Sequence, residues 1–222
     1  RAIELNPHDH WPVTSRAITF QDMGHYDQAL TDHDHAIELA PFNARAHDHR
    51  ALTYRAMGRY DEALTDHNRA IELNPHDDWP FNGRAHVHLL LGRYDDALAD
   101  CRRAMEIDPR DTRHQCLYAI AVRRAGGSQA ASYLQRVIRT ATATAAKDSS
   151  KALEARAAVF LMYCTAPDWE RAAAALDALL SKRPAPHSIR QTVRDLSFMQ
   201  QLFPGTTARL AAFTARLQKP GT

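Results

Sequence analysis

The chain repeats itself every 34 residues, and this period restricts the fold more than any other feature of the sequence. Proline, glycine and alanine each recur at that step at Pro7, Pro41, Pro75 and Pro109; Gly24, Gly58, Gly92 and Gly126; and Ala29, Ala63, Ala97 and Ala131. Tyrosine and a second alanine keep the step at Tyr26, Tyr60 and Tyr94, and at Ala36, Ala70 and Ala104. Several independent residue types at one such period indicate a solenoid of stacked units, because a single unit cannot bury its apolar face alone.

Each repeat predicts two helices. Small and aromatic residues such as Ala51, Tyr54 and Ala63 recur at helical spacing. Gly58 interrupts that pattern where one helix must stop and the next begin. Proline then ends the second helix, because it lacks an N–H group and crowds the preceding turn.

The aligned segments GHYDQALTDHDHAIELAP, GRYDEALTDHNRAIELNP and GRYDDALADCRRAMEIDP carry a resemblance to the tetratricopeptide repeat (TPR) family. The resemblance implies an all-α fold, a right-handed α-α superhelix of antiparallel helix pairs. It divides the sequence into 1–9, the end of a preceding repeat; full repeats at 10–43, 44–77 and 78–111; and a degenerate repeat at 112–145. Because 1–9 lack a partner helix, we expect a fragment of a larger bacterial TPR protein.

The period fails in the region 146–222. Four amphipathic segments separated by proline follow there, and they predict a C-terminal helical region that caps the solenoid or continues it as degenerate helix pairs.

Charge is divided unevenly along the chain. Residues 1–111 contain 12 Arg and Lys against 20 Asp and Glu, whereas 112–222 contain 16 against 6. The basic half lacks interleaved aromatic residues, so we interpret its arginines as solvated helix faces and do not expect nucleic acid as a partner. No apolar run is long enough for a membrane span and no signal segment opens the chain, which predicts a cytoplasmic protein without a membrane partner.

Histidine is abundant, with 13 in the chain and 12 of them before residue 115. The strings NPHDHWP (6–12) and NPHDDWP (74–80) suggest a metal site, but adjacent helical residues point about 100° apart. A metal would favour histidines at i and i+4, and only one histidine pair within the repeats loosely shares a face. We therefore predict no metal, and we expect His33 and His67 to be packing residues. No catalytic or nucleotide-binding motif is present, so we predict no enzyme activity and no cofactor.

Arginine and aspartate also follow the period. We predict that Arg16, Arg50 and Arg84 pair with Asp32, Asp66 and Asp100 of the second helix in each repeat. The alternative is that these arginines face the groove and bind a ligand.

The resemblance places a partner on the concave groove lined by the first helices. Positions two, five, nine and twelve of each repeat supply the candidate residues Trp11, Thr14, Ile18 and Gln21; Arg45, Asp48, Leu52 and Arg55; and Trp79, Asn82, His86 and Leu89. The two tryptophans could instead pack between repeats. The basic clamp for a C-terminal carboxylate, known in some members of the family, is not present at these positions.

The predicted function is therefore a non-enzymatic scaffold that binds a protein or peptide with large apolar side chains and some acidic character. Two alternatives remain open: a sensor or regulatory arm of a larger multidomain signalling NTPase, and an array that presents substrates to a catalytic domain outside this chain. The pattern assigns no oligomeric state.

Overall fold

The computed structural model describes residues 10–126, 130–146, 152–165, 168–182 and 184–218. Over these ranges the chain is helical and contains no strand, as the all-α prediction requires. It forms two compact units, residues 1–109 and 110–222, called here the N-terminal unit and the C-terminal unit. Of the helices described, none combines the length and the apolar character that a bilayer crossing needs.

The N-terminal unit consists of three helix pairs in its described part. They are α1 (His10–Asp22) with α2 (Tyr26–Leu39), α3 (Ala44–Ala56) with α4 (Tyr60–Leu73), and α5 (Asp78–Leu90) with α6 (Tyr94–Ile107). The closest helix contacts are within these pairs, and the short connections make the two helices of each pair antiparallel. The predicted pair of helices per repeat is confirmed.

The turn inside each pair depends on glycine. Gly58 has a φ of 76°, in the left-handed region that favours glycine, and its equivalents in the other repeats share this conformation. The Arg59 N–H donates to the Tyr54 carbonyl oxygen at 2.9 Å, which closes the end of α3 as a Schellman motif.

The connection between pairs is fixed by caps and proline. The side chain of Asp77 accepts a hydrogen bond from the Trp79 N–H at the start of α5, and Asn43 does the same for Arg45 at the start of α3. Helices α2, α4 and α6 each end two residues before a proline.

Alanine lets the helices of this unit pack closely. Ala29, Ala63 and Ala97 have no exposed surface. With a single methyl group at such positions, neighbouring backbones approach without a thick layer of side chains between them. The first helices of successive repeats also touch, α1 with α3 and α3 with α5, while successive second helices make fewer contacts.

The predicted arginine–aspartate pairs are confirmed in all three repeats. Arg50 binds Asp66 through two hydrogen bonds, Nε to Oδ2 at 2.7 Å and Nη2 to Oδ1 at 2.8 Å. Its third nitrogen donates to Asp34 Oδ1, on the second helix of the preceding repeat, at 2.7 Å. The hydrogen bonds to Asp66 raise the pKa of the guanidinium above its usual value.

One arginine thus ties three helices together. Arg84 repeats the arrangement, with Asp100 as the paired carboxylate and Asn68 Oδ1 as the acceptor on the preceding repeat at 2.6 Å. Arg16 forms the same two bonds to Asp32, both at 2.6 Å.

Histidine and glycine fit together between the second and third repeats. His67 on α4 is fully buried, and its Nδ1 lies 2.9 Å from Asp48 Oδ1 on α3. Gly83 on α5 lies against this ring, so closely that a Cβ added at this glycine would come within 2.3 Å of His67 Cε1. The histidine at this position is a packing residue, as expected, and it needs a neighbour without a side chain.

The C-terminal unit is also helical. Its helices are α7 (Thr112–Arg124), α8 (Ala130–Ala145), α9 (Ala152–Thr165), α10 (Trp169–Leu180), α11 (Pro186–Leu202) and α12 (Thr207–Gln218), with a 3₁₀ turn at Pro204–Thr206. The four helices predicted beyond residue 146 are present as α9 to α12. Phe160 and Phe213 meet edge to face in their core at 5.3 Å between ring centroids.

Replacing Arg50 with alanine should destabilise the protein by about 3 kcal/mol, because the buried Asp66 carboxylate loses its cation. Urea unfolding followed by circular dichroism measures this change. Arg69→Ala is the matched control, since the Arg69–Glu72 pair lies on the surface and contributes little. Equal unfolding midpoints for the two variants would contradict the structural role of Arg50.

Replacing Gly83 with alanine should destabilise the protein by roughly 1–3 kcal/mol, although alanine is the better helix former. The reason is the added methyl group, which collides with the buried His67 ring. Gly205→Ala serves as the control, because nothing lies within 4 Å of its added Cβ. Thermal melts in which the Gly83 variant is as stable as the wild type would refute this packing argument.

Candidate partner-binding surface

The candidate surface is formed by the first helices of the three repeats. Because α1, α3 and α5 contact one another in sequence, residues at equivalent positions form rows that cross from helix to helix. The twelve predicted residues lie on these three helices. Their accessibility depends on which side of each helix they occupy.

Helix geometry divides the candidates into two stripes. Positions seven residues apart differ by only about 20° around a helix, whereas positions three apart differ by about 60°. Positions two and nine therefore share one side of each helix, and positions five and twelve share another. The outer stripe is Trp11, Ile18, Arg45, Leu52, Trp79 and His86; the inner stripe is Thr14, Gln21, Asp48, Arg55, Asn82 and Leu89.

The outer stripe is accessible. Trp11 is 60% exposed and Trp79 is 43% exposed, which is unusual for such large apolar side chains. Arg45 occupies the equivalent place on the helix between them, and its side chain is 71% exposed. The position-nine residues Ile18, Leu52 and His86 are half-buried.

Much of the inner stripe is not accessible, which corrects the sequence prediction. Thr14, Asp48, Asn82 and Leu89 are between 1% and 9% exposed. The rotation of this stripe about the helix axis turns these side chains toward the packed interior, where Asp48 meets His67. Gln21 and Arg55 are half-buried, and Gln21 Oε1 accepts a hydrogen bond from the Thr53 hydroxyl at 3.2 Å.

Arg45 is the exposed cation of the outer stripe. Its Nε lies 3.8 Å from Asp77 Oδ2, which is an ion-pair distance but too long for a good hydrogen bond. Asp77 already accepts the Trp79 N–H through its other oxygen. The guanidinium can therefore turn toward an acceptor on a partner at small cost, since exposed ion pairs are weak.

Histidine and carboxylate side chains of the N-terminal unit meet in pairs. The His67–Asp48 contact is 2.9 Å, and looser contacts join His47 to Asp66 at 3.5 Å and His88 to Asp100 at 3.7 Å. Burial lowers the pKa of His88, more than its contact with Asp100 raises it. A pair of this kind fixes helix packing, whereas a structural metal site takes four ligands.

The cysteines are buried and reduced. Burial raises the pKa of the Cys116 and Cys164 thiols to about 12. Both side chains therefore stay protonated at neutral pH, and a protonated thiol is neither a nucleophile nor a metal ligand. Their role is packing.

Phe42 and Met23 are the most exposed of the large apolar residues that were not anticipated from the sequence. Phe42 is 79% exposed in the turn before α3, and Met23 is exposed at the end of α1. The exposure of Phe42 could have been predicted from the sequence, because the equivalent positions after Pro75 and Pro109 hold the polar residues His76 and Arg110. Neither residue belongs to the outer or the inner stripe.

Comparison with known proteins agrees with this architecture. The tetratricopeptide repeat model matches residues 44–77 and 79–111. No curated protein sequence matches the chain.

Several solved structures share the fold. A thermophilic TPR protein of Thermus thermophilus has a TM-score of 0.64 and 19% identity, over 86% of this chain and 99% of its own. MamA has a TM-score of 0.58 and 18% identity, over 66% and 86%. The first TPR domain of Spaghetti, solved with an HSP90 peptide, has a TM-score of 0.51 and 19% identity, over 53% and 96%.

At these identities the structures establish the fold alone. Residues 44–77 and 79–111 match the tetratricopeptide repeat family, and the three helix pairs of the N-terminal unit have the architecture of this fold.

Proposed function

We propose that the protein is a non-enzymatic scaffold that binds an extended peptide segment of a partner protein across the outer stripe. One observation carries this proposal. The same position of three successive repeats presents Trp11, Arg45 and Trp79, all of them exposed. An exposed indole costs solvation free energy in the unbound protein, and burying it against a partner recovers that free energy.

The three side chains offer complementary contacts. Tryptophan and arginine are the residues that most often dominate binding energy at protein interfaces. The two indoles would bury apolar side chains of the partner, and Arg45 would donate charge-assisted hydrogen bonds to a carboxylate between them.

Helix spacing sets the length of the segment. Packed helices lie 8–10 Å apart, so two steps from α1 to α5 span roughly 16–20 Å. An extended chain advances about 3.3 Å per residue, which corresponds to five or six residues. The expected ligand thus has two large apolar residues about six positions apart, with Asp or Glu midway.

Charge also favours a protein over a nucleic acid. Residues 1–111 carry 20 acidic against 12 basic side chains, and this balance repels a phosphate backbone. The HSP90 peptide bound to the Spaghetti TPR domain supports a peptide as the ligand of this fold.

Selection from a phage-displayed library of random 12-residue peptides should return the apolar, acidic, apolar pattern. Binding of a selected peptide, measured by fluorescence anisotropy, should weaken at least tenfold in Trp11→Ala and in Trp79→Ala, because each removes an anchor. Arg45→Ala should weaken the binding of peptides that carry the central Asp or Glu. It should not change the binding of peptides in which that residue is replaced by Asn or Gln.

Two variants serve as controls. Phe42→Ala removes an exposed aromatic residue outside the stripe, and Glu62→Ala changes a surface charge on α4. Both should bind within twofold of the wild type. If Trp11→Ala and Trp79→Ala bind normally while their circular dichroism is unchanged, the outer stripe is not the binding surface.

A further inference from the structure

His33 on α2 is buried without a hydrogen-bond partner. It has no exposed surface, and neither Nδ1 nor Nε2 is bonded to any residue that the structure describes. Its ring lies parallel to that of His49 on α3, with an interplanar angle of 10° and 6.4 Å between centroids. Two imidazoles therefore face each other where the first and second repeats pack.

At the junction between the second and third repeats, the equivalent histidine has different neighbours. His67 is the equivalent of His33, but it has Asp48 as a partner and Gly83 in place of a second histidine. The residue equivalent to Asp48 in the first repeat is Thr14, whose hydroxyl donates to the His10 carbonyl oxygen at 2.9 Å. His33 thus lacks the carboxylate that would hold a proton.

We propose that the His33–His49 pair makes the junction between the first and second repeats open on acidification, while the junction between the second and third repeats stays closed. Protonation would place two like charges face to face in a buried contact, a state that the packed helices cannot accommodate.

Charged groups around the pair do not offset this repulsion. Asp32 on α2 and Asp66 on α4 face His33, but Asp32 is bound by Arg16 and Asp66 by Arg50, and the Arg50 cation itself faces His33. His49 is faced by Asp48, Asp77 and Arg45. Asp48 is already bonded to His67, and Asp77 is within ion-pair distance of Arg45.

The direction of the pH effect follows from burial. Burial lowers the pKa of His33 to about 4, and it lowers the pKa of His49 as well. In an opened junction both rings titrate near the ordinary value of about 6.5, so the opened form binds more protons and gains population as pH falls from about 6.5 toward 4. For His33 alone, the opening equilibrium constant should rise on the order of a hundredfold by pH 4.5.

Opening at this junction would separate Trp11 on α1 from Arg45 on α3. Release of a peptide on acidification is a consequence that rests on the proposed function. The acid-induced opening of the junction does not rest on the proposed function, so it is tested without a peptide. A failure of the opening can therefore be distinguished from a failure of peptide binding.

Hydrogen exchange of the full chain, corrected for intrinsic rates, measures the opening between pH 7 and pH 4.5. Protection of α1 and α2 should fall on the order of a hundredfold, while α5 and α6 change much less. In His33→Gln the loss of hydrogen-exchange protection in α1 and α2 between pH 7 and pH 4.5 should be at least tenfold smaller than in the wild type. His35→Gln, an exposed histidine on the same helix, should behave as the wild type.

A second variant tests the missing carboxylate. Thr14→Asp should give His33 the partner that Asp48 gives His67, which raises the proton affinity of the folded form and reduces the acid opening. NMR titration of the His33 ring in the wild type provides a measurement that needs no variant. A pKa for His33 at or above 6.5, or equal pH dependence in His33→Gln and His35→Gln, would overturn the proposal.

Discussion

The forked contact of a half-buried arginine with a buried aspartate organises the N-terminal unit. Arg50 and Arg84 each use one side of the guanidinium to close a helix pair and the other to reach the preceding pair. A leucine in the same place could fill space, but it would not fix the rotation of one helix against another. Because the planar fork accepts only one orientation of its carboxylate, it sets which side of each first helix turns outward. The exposure of Trp11 and Trp79 follows from that rotation.

The two units differ in how they obtain their stability. The N-terminal unit buries mostly alanine, with charged and polar pairs between its helices, whereas the C-terminal unit has a conventional core that includes Phe160, Leu176 and Leu196. Alanine contributes little apolar surface, so the ion pairs and histidine contacts have a larger share in specifying the packing of the repeats. Such contacts depend on pH and salt more than an apolar core does.

Most of the fold could be predicted from the sequence, because glycine and proline mark helix ends through backbone geometry and recur at a visible period. The arginine–aspartate pairs were predictable for the same reason. The accessibility of the candidate residues could be predicted only in part. A step of three or four residues places Trp11 and Thr14 on one broad face of α1, but about 60° of rotation within that face separates the exposed Trp11 from the buried Thr14. The His33–His49 contact joins residues of different repeats, and its consequence depends on Thr14 occupying the place of Asp48, which no single motif reveals.

The fit of His67 against Gly83 bears on how such an array can be rearranged. A side chain of one repeat is matched in size to a residue sixteen positions later, in the following repeat. Exchanging whole 34-residue copies would place His67 against a side chain such as His49, so the copies are not interchangeable parts. The segment that can be moved intact instead begins at the second helix of one repeat and ends after the first helix of the next. Recombination or engineering that cuts within the glycine turn would preserve the His67–Gly83 junction but would separate His67 from its partner Asp48.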